Sequence, residues 1–343
     1  MRRLLPLLLV VGALLAAAGP ASAAPTDTPL IGLQRGTPVR EYAGWLLYSR
    51  WDGHAYHLAI WQAGHGRDLA APTQAKPFDA DVGPDSTGRV SAVYSRCAGS
   101  CDLYLIGFDV GEAPRAVHNA NTRGRDEVAP SIWRGRLVFA RRYSKDHVVP
   151  YTKLLQAPRS RPSTRLAGVP SKRCGAVEAP DCRPIEDVDN PSFELWGRWV
   201  AQRWTYQPDG FPGSAQNEIR LTDVNRTDTR QIAYRATGLG GQMYLGPAIV
   251  DGRVAFFLAC QADPGGCSSS PSGAFRYRIS SGDYTNAPAN ESWSGWTYDG
   301  TGTEHVPSAY DCSGGDPGVA VAPCRIVRRT GLTWEPIAAT HVR

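Results

Sequence analysis

A phrase made of a small-residue turn, Gly-Arg and three or four apolar residues recurs along this chain. It occurs as Gly88-Arg89-Val90-Ser91-Ala92-Val93, Gly135-Arg136-Leu137-Val138-Phe139-Ala140, Gly197-Arg198-Trp199-Val200-Ala201 and Gly252-Arg253-Val254-Ala255-Phe256-Phe257. The last three follow a proline, in Pro130-Ser131-Ile132, Pro191-Ser192-Phe193 and Pro247-Ala248-Ile249. A repeat of this kind cannot bury its own apolar face, so the copies must stack on one another.

A second phrase interlocks with the first, alternating apolar and polar residues before a polar turn. It appears as Tyr56–Trp61, Asp102–Asp109, Tyr151–Leu155, Glu218–Asp223, Ala274–Ile279 and Cys324–Val327. Six copies imply six units, and period-two alternation bounded by Gly, Asp and Pro is the signature of strands. Each unit reads as four antiparallel strands, A to D, with tight A-to-B and C-to-D turns. The fold class expected is therefore all-β, a single β-propeller of six four-stranded blades over residues 41–343. Residues 24–40 form an N-terminal extension in which Pro29-Leu30-Ile31-Gly32-Leu33 is suited to add a strand to the last blade and close the ring.

The stretch Pro130-Ser131-Ile132-Trp133-Arg134-Gly135-Arg136-Leu137-Val138-Phe139-Ala140 resembles the TolB-like propeller repeat. That resemblance implies an exported bacterial propeller. The α/β domain of that family has no room in residues 24–40, so the implied protein is a lone propeller.

Compartment follows from the first 23 residues. Arg2-Arg3 precede an apolar run from Leu4 to Ala18, followed by Ala21-Ser22-Ala23. This order of charge, apolar core and small residues is that of a secretory signal peptide. The run is shorter than the ~20 residues needed to span a bilayer, and no other segment offers a stable membrane anchor. A secreted, extracellular bacterial protein is expected, and a monomer. All eight cysteines fall in the mature part as neighbouring pairs: Cys97/Cys101, Cys174/Cys182, Cys260/Cys267 and Cys312/Cys324. An even count in an exported chain, without any Cys-x-x-Cys, points to disulfides over zinc. Removing Arg2 and Arg3 lowers the net charge from +5 to +3, too small a surplus to imply nucleic-acid binding. Residues 134–173 nevertheless hold eleven Lys/Arg against the single acid Asp146. Such a run is usually a solvated face; the alternative is an anionic partner.

In a four-stranded blade the B-to-C loop and the D-to-A connection share one face. The long loops and all four cysteine pairs belong to that face, where binding usually resides. Three of the pairs flank B-to-C loops, and Cys174/Cys182 sits in the D-to-A connection entering the fourth unit. Acids precede strand A in successive units: Asp79 and Asp81, Asp126 and Glu127, Asp187 and Asp189, with Glu41 and Glu291 in similar places. Strand A is innermost, so these carboxylates are candidates to ring the channel mouth. Converging carboxylates bind a hard cation such as Ca²⁺ or provide the acid pair of a glycosidase; the simpler reading is that Asp before Pro-Ser starts a turn. Trp51, Tyr56, Trp204, Tyr206 and Phe211, in B-to-C loops, are candidates to stack on a sugar or peptide. His54 and His57 stand three apart and face opposite sides of a strand. Gly-x-Ser-x-Gly, His-Glu-x-x-His, phosphate-loop and sialidase-type Asp-box motifs do not occur. Without an unmistakable catalytic motif, the sequence favours a binding or scaffold propeller for a protein or glycan. A glycan-cleaving hydrolase with acids at the channel mouth is the alternative.

Overall fold

The computed structural model describes residues 26–33, 38–144, 147–156, 161–167, 182–183, 192–208, 214–226, 228–238, 242–250, 252–260, 273–288, 293–298, 307–311, 324–330, 332–339 and 342. Among these the strands form six antiparallel sheets. Blade one runs Val39–Tyr42, Trp45–Trp51, Tyr56–Gln62, His65–Asp68 from inside outward. Blade two is Ala80–Pro84, Val90–Ala98, Ser100–Gly107, Arg115–Ala116, and blade three Asp126–Trp133, Arg136–Ser144, His147–Leu154, Thr164–Arg165. Blade four contains Ser192–Trp196, Trp199–Pro208, Ser214–Asp223 and Thr229–Gly238, and blade five Gln242–Val250, Arg253–Cys260, Gly273–Arg278 and Tyr284–Pro288. Blade six combines Trp293–Tyr298, Pro307–Asp311 and Cys324–Thr330 with the N-terminal strand Thr26–Leu33. The six innermost strands touch in cyclic order, the sixth against the first, so the ring is closed as a β-propeller.

The repeated phrases acquire a physical meaning in this arrangement. A blade lies between two others, so its central strands must be apolar on both faces, and alternation disappears there. In Arg136–Ser144, Leu137 and Phe139 pack with Val93 and Leu105 of blade two, whereas Val138 and Ala140 pack with Phe193 and Leu195 of blade four. Blades one and two, four and five, and six and one meet through equivalent clusters. The core is thus distributed between blades. The Gly of the Gly-Arg phrase belongs to the turn. Ala43 and Gly44 have φ of 52° and 76°, and Arg134 and Gly135 of 45° and 75°. Two successive positive φ values define the two-residue hairpin turn whose twist matches that of the strands.

Closure joins the two ends of the chain. Thr26–Leu33 lies antiparallel to Cys324–Thr330, and Arg329 grips Asp27 through two hydrogen bonds of 2.7 and 3.0 Å. Arg328 reaches Glu41 on the inner strand of blade one. The chain then returns to blade five, where Glu335–Ile337 adds an outer strand and the buried Val342 accepts a 2.9 Å hydrogen bond from Tyr234 N–H. Residues 1–23, Cys174, Cys267, Cys312, Asp187, Asp189, Phe211 and Glu291 lie outside the described residues.

The cysteine expectations divide. Cys97 and Cys101 form a disulfide across the blade-two B-to-C hairpin. Cys182 lies in the D-to-A connection entering blade four and begins a short strand there, Cys182–Arg183, antiparallel to Gln207 and Pro208. The reason is a difference in strand length. Trp199–Pro208 runs well beyond the last residue that Ser192–Trp196 pairs, Arg203, and Cys182–Arg183 takes up part of the ladder left open. The disulfides expected of Cys182, Cys260 and Cys324 need Cys174, Cys267 and Cys312, so these three pairings fall outside the described residues.

The inner strands of blades two and three approach too closely for a side chain at Gly83: a Cβ there would stand 2.2 Å from the Ile132 carbonyl oxygen. Gly83→Ala is expected to cost about 1–3 kcal/mol by forcing the backbones apart. Gly32→Ala, which meets nothing within 4 Å, should leave thermal unfolding unchanged. Melting curves of the two variants, followed by circular dichroism, check this.

Candidate active site in the central channel

Strand register shows which side chains share the channel. Tyr42, Trp133 and Trp196 each end an inner strand and pair across the turn with Trp45, Arg136 and Trp199. Two residues earlier stand Arg40, Ser131 and Glu194, on the same side of their strands because side chains alternate. Asp81 is their counterpart in blade two. Ile132 N–H donates to Asp81 Oδ2 at 2.9 Å, and one blade further on Leu195 N–H donates to Ser131 Oγ at the same distance. One position in four consecutive blades therefore holds Arg40, Asp81, Ser131 and Glu194. These residues face the channel: Arg40 Nη2 donates to Ser192 Oγ at 3.1 Å, from blade one to blade four. Those blades are opposite in the ring, so the contact crosses its centre.

Electrostatically this level is a cation between acids. Arg40 Nε lies 3.8 Å from Asp81 Oδ1 and is buried without a hydrogen-bond partner. Burial pushes the Asp81 carboxyl up, while Arg40, the Ile132 and Val82 N–H groups and the Ser131 hydroxyl favour its ionised form. Burial pushes Glu194 well above the usual carboxylate range, and the charge of Asp81 adds to the rise. Asp79, one step towards the loop face, is raised by burial and accepts a 2.5 Å hydrogen bond from Ala129 N–H. Both carboxyls are pushed up by burial; at Asp81 the cation and the donors offset part of the rise, whereas at Glu194 the charge of Asp81 adds to it.

Aromatic rings stand one level further towards the short turns. Trp133 lies 5.6 Å from Tyr42, edge to face, and 5.8 Å from Trp196. Tyr42 and Trp133 belong to blades one and three, and the corresponding blade-two residue is Gly83. The polar level thus lies between aromatic rings on one side and the loop face on the other.

The sequence-derived candidates separate accordingly. Asp79 and Asp81 lie near Arg40, each accepting a backbone N–H of blade three, but Asp126 and Glu127 do not join them. Blade three's inner strand carries a bulge between Val128 and Ser131, with Ala129 at φ 51°. An extra residue reverses the side on which upstream residues stand. Glu127 consequently points between blades, fully buried, with Arg141 Nε at 2.7 Å, and Asp126 accepts the Cys101 N–H at 2.9 Å. Glu41 is buried against Arg328. Trp204 is 4% exposed, packs edge to face on Phe193 and donates to Gln202 Oε1 at 3.0 Å, which makes it a core residue. Trp51, half-buried, packs on Tyr56 at 4.8 Å, and Tyr206 lies in the strand Trp199–Pro208. Among the described residues no three His, Cys, Asp or Glu side chains form a set that could hold a metal. Of the basic run, Arg134 stands over Trp133 at the short-turn end and Arg141 is bound to Glu127, while Lys145, Arg159, Lys172 and Arg173 lie outside the described residues.

Arg40, Glu194, Ser131 and Ser192 were not legible as a site. Their signal is positional: each lies at a fixed strand distance from an A-to-B turn, within strand A.

No protein-family model matches the sequence, and neither does any curated protein sequence. Solved structures do. The α-L-arabinanase of Penicillium chrysogenum, complexed with arabinobiose, superimposes with a TM-score of 0.52 at 9% identity, over 93% of this chain and 99% of that one. A Fusarium graminearum α-L-arabinofuranosidase with an iminosugar inhibitor gives 0.51 at 10% identity over 92% and 99%. A Dyadobacter fermentans protein of unknown function gives 0.50 at 10% identity over 90% and 98%. At such identities the likeness is one of fold.

A carboxyl with a raised folded-state pKa binds more protons folded than unfolded between its ordinary and raised values, so stability falls as pH rises through that window. The wild-type melting temperature should therefore decline as pH rises above the ordinary glutamate value of about 4.5. Glu194→Gln should decline less and be the more stable protein at neutral pH. Superimposable pH profiles would show that Glu194 is not held neutral.

Proposed function

We propose that this protein is an exported glycan-cleaving hydrolase whose carboxyl pair is Glu194 and Asp81. The observation that carries the reading is the pair's asymmetry beside Arg40. Glycoside cleavage needs one carboxyl that keeps its proton for the leaving oxygen and one that acts ionised as nucleophile or base. Glu194, raised by burial and by its neighbour, suits the first role. Asp81, with Arg40 and several donors about it, suits the second. Arg40 Nε is an unused donor at the same level, positioned for a sugar hydroxyl. The aromatic group Tyr42, Trp133 and Trp196 offers an apolar ring face next to it. The arabinobiose in the Penicillium structure makes arabinan and its oligosaccharides the first substrates to try, and the signal-peptide-like order of residues 1–23 supports a reaction outside the cell.

One observation favours a binding module instead. The Asp81 side chain is only 3% exposed, and its bond to Ile132 N–H latches blade two to blade three as Ser131 latches three to four. Reducing-end release from a panel of arabinan, arabino-oligosaccharides and other plant glycans separates the readings. The wild type is expected to cleave, and Glu194→Gln and Asp81→Asn each to lose about 10²–10⁴-fold in rate. Ser192→Ala should keep most of the activity. Calorimetric binding of a glycan without cleavage by the wild type would leave the binding module.

A further inference from the structure

The inner strands of blades two, three and four each end their sheets, so one edge of each has no strand to pair with. Backbone N–H groups on such an edge, once buried, need acceptors from elsewhere. Side chains of the preceding blade supply them. Asp79 and Asp81 accept the N–H groups of Ala129 and Ile132 at 2.5 and 2.9 Å, and Ser131 accepts that of Leu195 at 2.9 Å.

Ser131 differs from the two acids in carrying a proton of its own. Its oxygen accepts from Leu195 N–H, and its hydroxyl is hydrogen-bonded to the Asp81 carboxylate, where it is the donor. The side chain is fully buried. Its two partners are therefore Asp81 and the peptide that joins Glu194 to Leu195. Ile132, the next residue, adds its N–H to the same Asp81 carboxylate. The dipeptide Ser131-Ile132 thus bridges the two acid-bearing strands, Ala80–Pro84 in blade two and Ser192–Trp196 in blade four.

A buried serine can also be a plain latch. Ser95 Oγ donates to the Glu127 main-chain carbonyl at 2.9 Å and ties blade two to blade three in that way. What sets Ser131 apart is that its acceptor is an acid whose ionisation depends on donors. Burial raises Asp81, and the Ser131 hydroxyl offsets part of that rise.

We propose, resting on the hydrolase reading, that Ser131 is the positioning residue of the carboxyl pair, its proton aimed at Asp81 and its oxygen fixing the main chain beside Glu194. Being fully buried, it acts through these two partners and not on the sugar.

Melting temperatures of full-length wild type, Ser131→Ala, Asp81→Asn and the double variant are followed from about pH 4 to about pH 8. An acid whose folded pKa lies above its ordinary value contributes stability that is lost as pH rises through that window. Without the Ser131 donor the Asp81 window extends further upward. Ser131→Ala should therefore steepen the decline in melting temperature with pH, and should add no pH dependence to Asp81→Asn. Ser131→Cys, of similar shape but a weak donor and acceptor, gives the same reading if the alanine variant does not fold. Ser95→Ala should lower the melting temperature evenly across the range. On a glycan that the wild type cleaves, Ser131→Ala should lower kcat roughly 10–10²-fold with KM little changed. The low-pH limb of kcat should move to higher pH, because the base must be ionised to act. Ser131→Thr, which keeps the hydroxyl, should return the limb towards its wild-type position. An even loss of melting temperature in both backgrounds, or an unmoved limb, marks a plain latch and overturns the proposal. A wild type that cleaves no glycan while the steepening persists overturns the hydrolase reading and sustains the link between Ser131 and Asp81.

Discussion

Every blade has two apolar faces, and only a closed ring covers both. This one requirement explains the continuous apolar runs in the central strands, the clusters between neighbouring blades and the use of the chain's N-terminal strand in its last sheet. A linear stack would leave one apolar face exposed at each end. Pairing Thr26–Leu33 with Cys324–Thr330 removes those ends, so opening the ring requires breaking a full ladder and the ion pairs Asp27–Arg329 and Glu41–Arg328.

Closure also creates the site. Six inner strands converge on an axis and present one alternate set of side chains to it, which places polar residues where little water reaches. Buried carboxyls then rise in pKa unless charges and donors offset the cost of ionisation. Both Asp81 and Glu194 rise, but Arg40, Ile132 N–H and Ser131 offset part of the rise at Asp81, whereas Glu194 has the added repulsion of Asp81 itself. The difference between two acids on equivalent strand positions comes from their neighbours. On the opposite face the Gly-Arg turns of blades two to five place Arg89, Arg136, Arg198 and Arg253 at corresponding positions.

Irregularities direct the side chains as much as the repeat does. The bulge at Ala129 turns Glu127 out of the channel and into a buried pair with Arg141. Gly83 permits the close approach of blades two and three. Such deviations from a regular strand pattern occur where chains must pass close to one another or re-aim a side chain.

Local pattern alone determined the all-β class, the propeller and the six-fold repetition, because alternation and turn chemistry are properties of neighbouring residues. It also indicated acids just ahead of the innermost strands; Asp79 is there, and Asp81 lies within the strand Ala80–Pro84. Tertiary structure decided which acids meet. A bulge of one residue, invisible in composition, inverted the expectation for Glu127, and the packing of Trp204 on Phe193 took an apparent loop aromatic into the core. Cys182 joined a ladder for a comparable reason, since the length of the strand it pairs with is not a local property of its own segment. Glu194 and Arg40 lie 154 positions apart in the chain, on blades that no local pattern relates to each other. They share the channel because a six-bladed ring puts its first and fourth strands face to face, and that proximity exists only after the ring has closed.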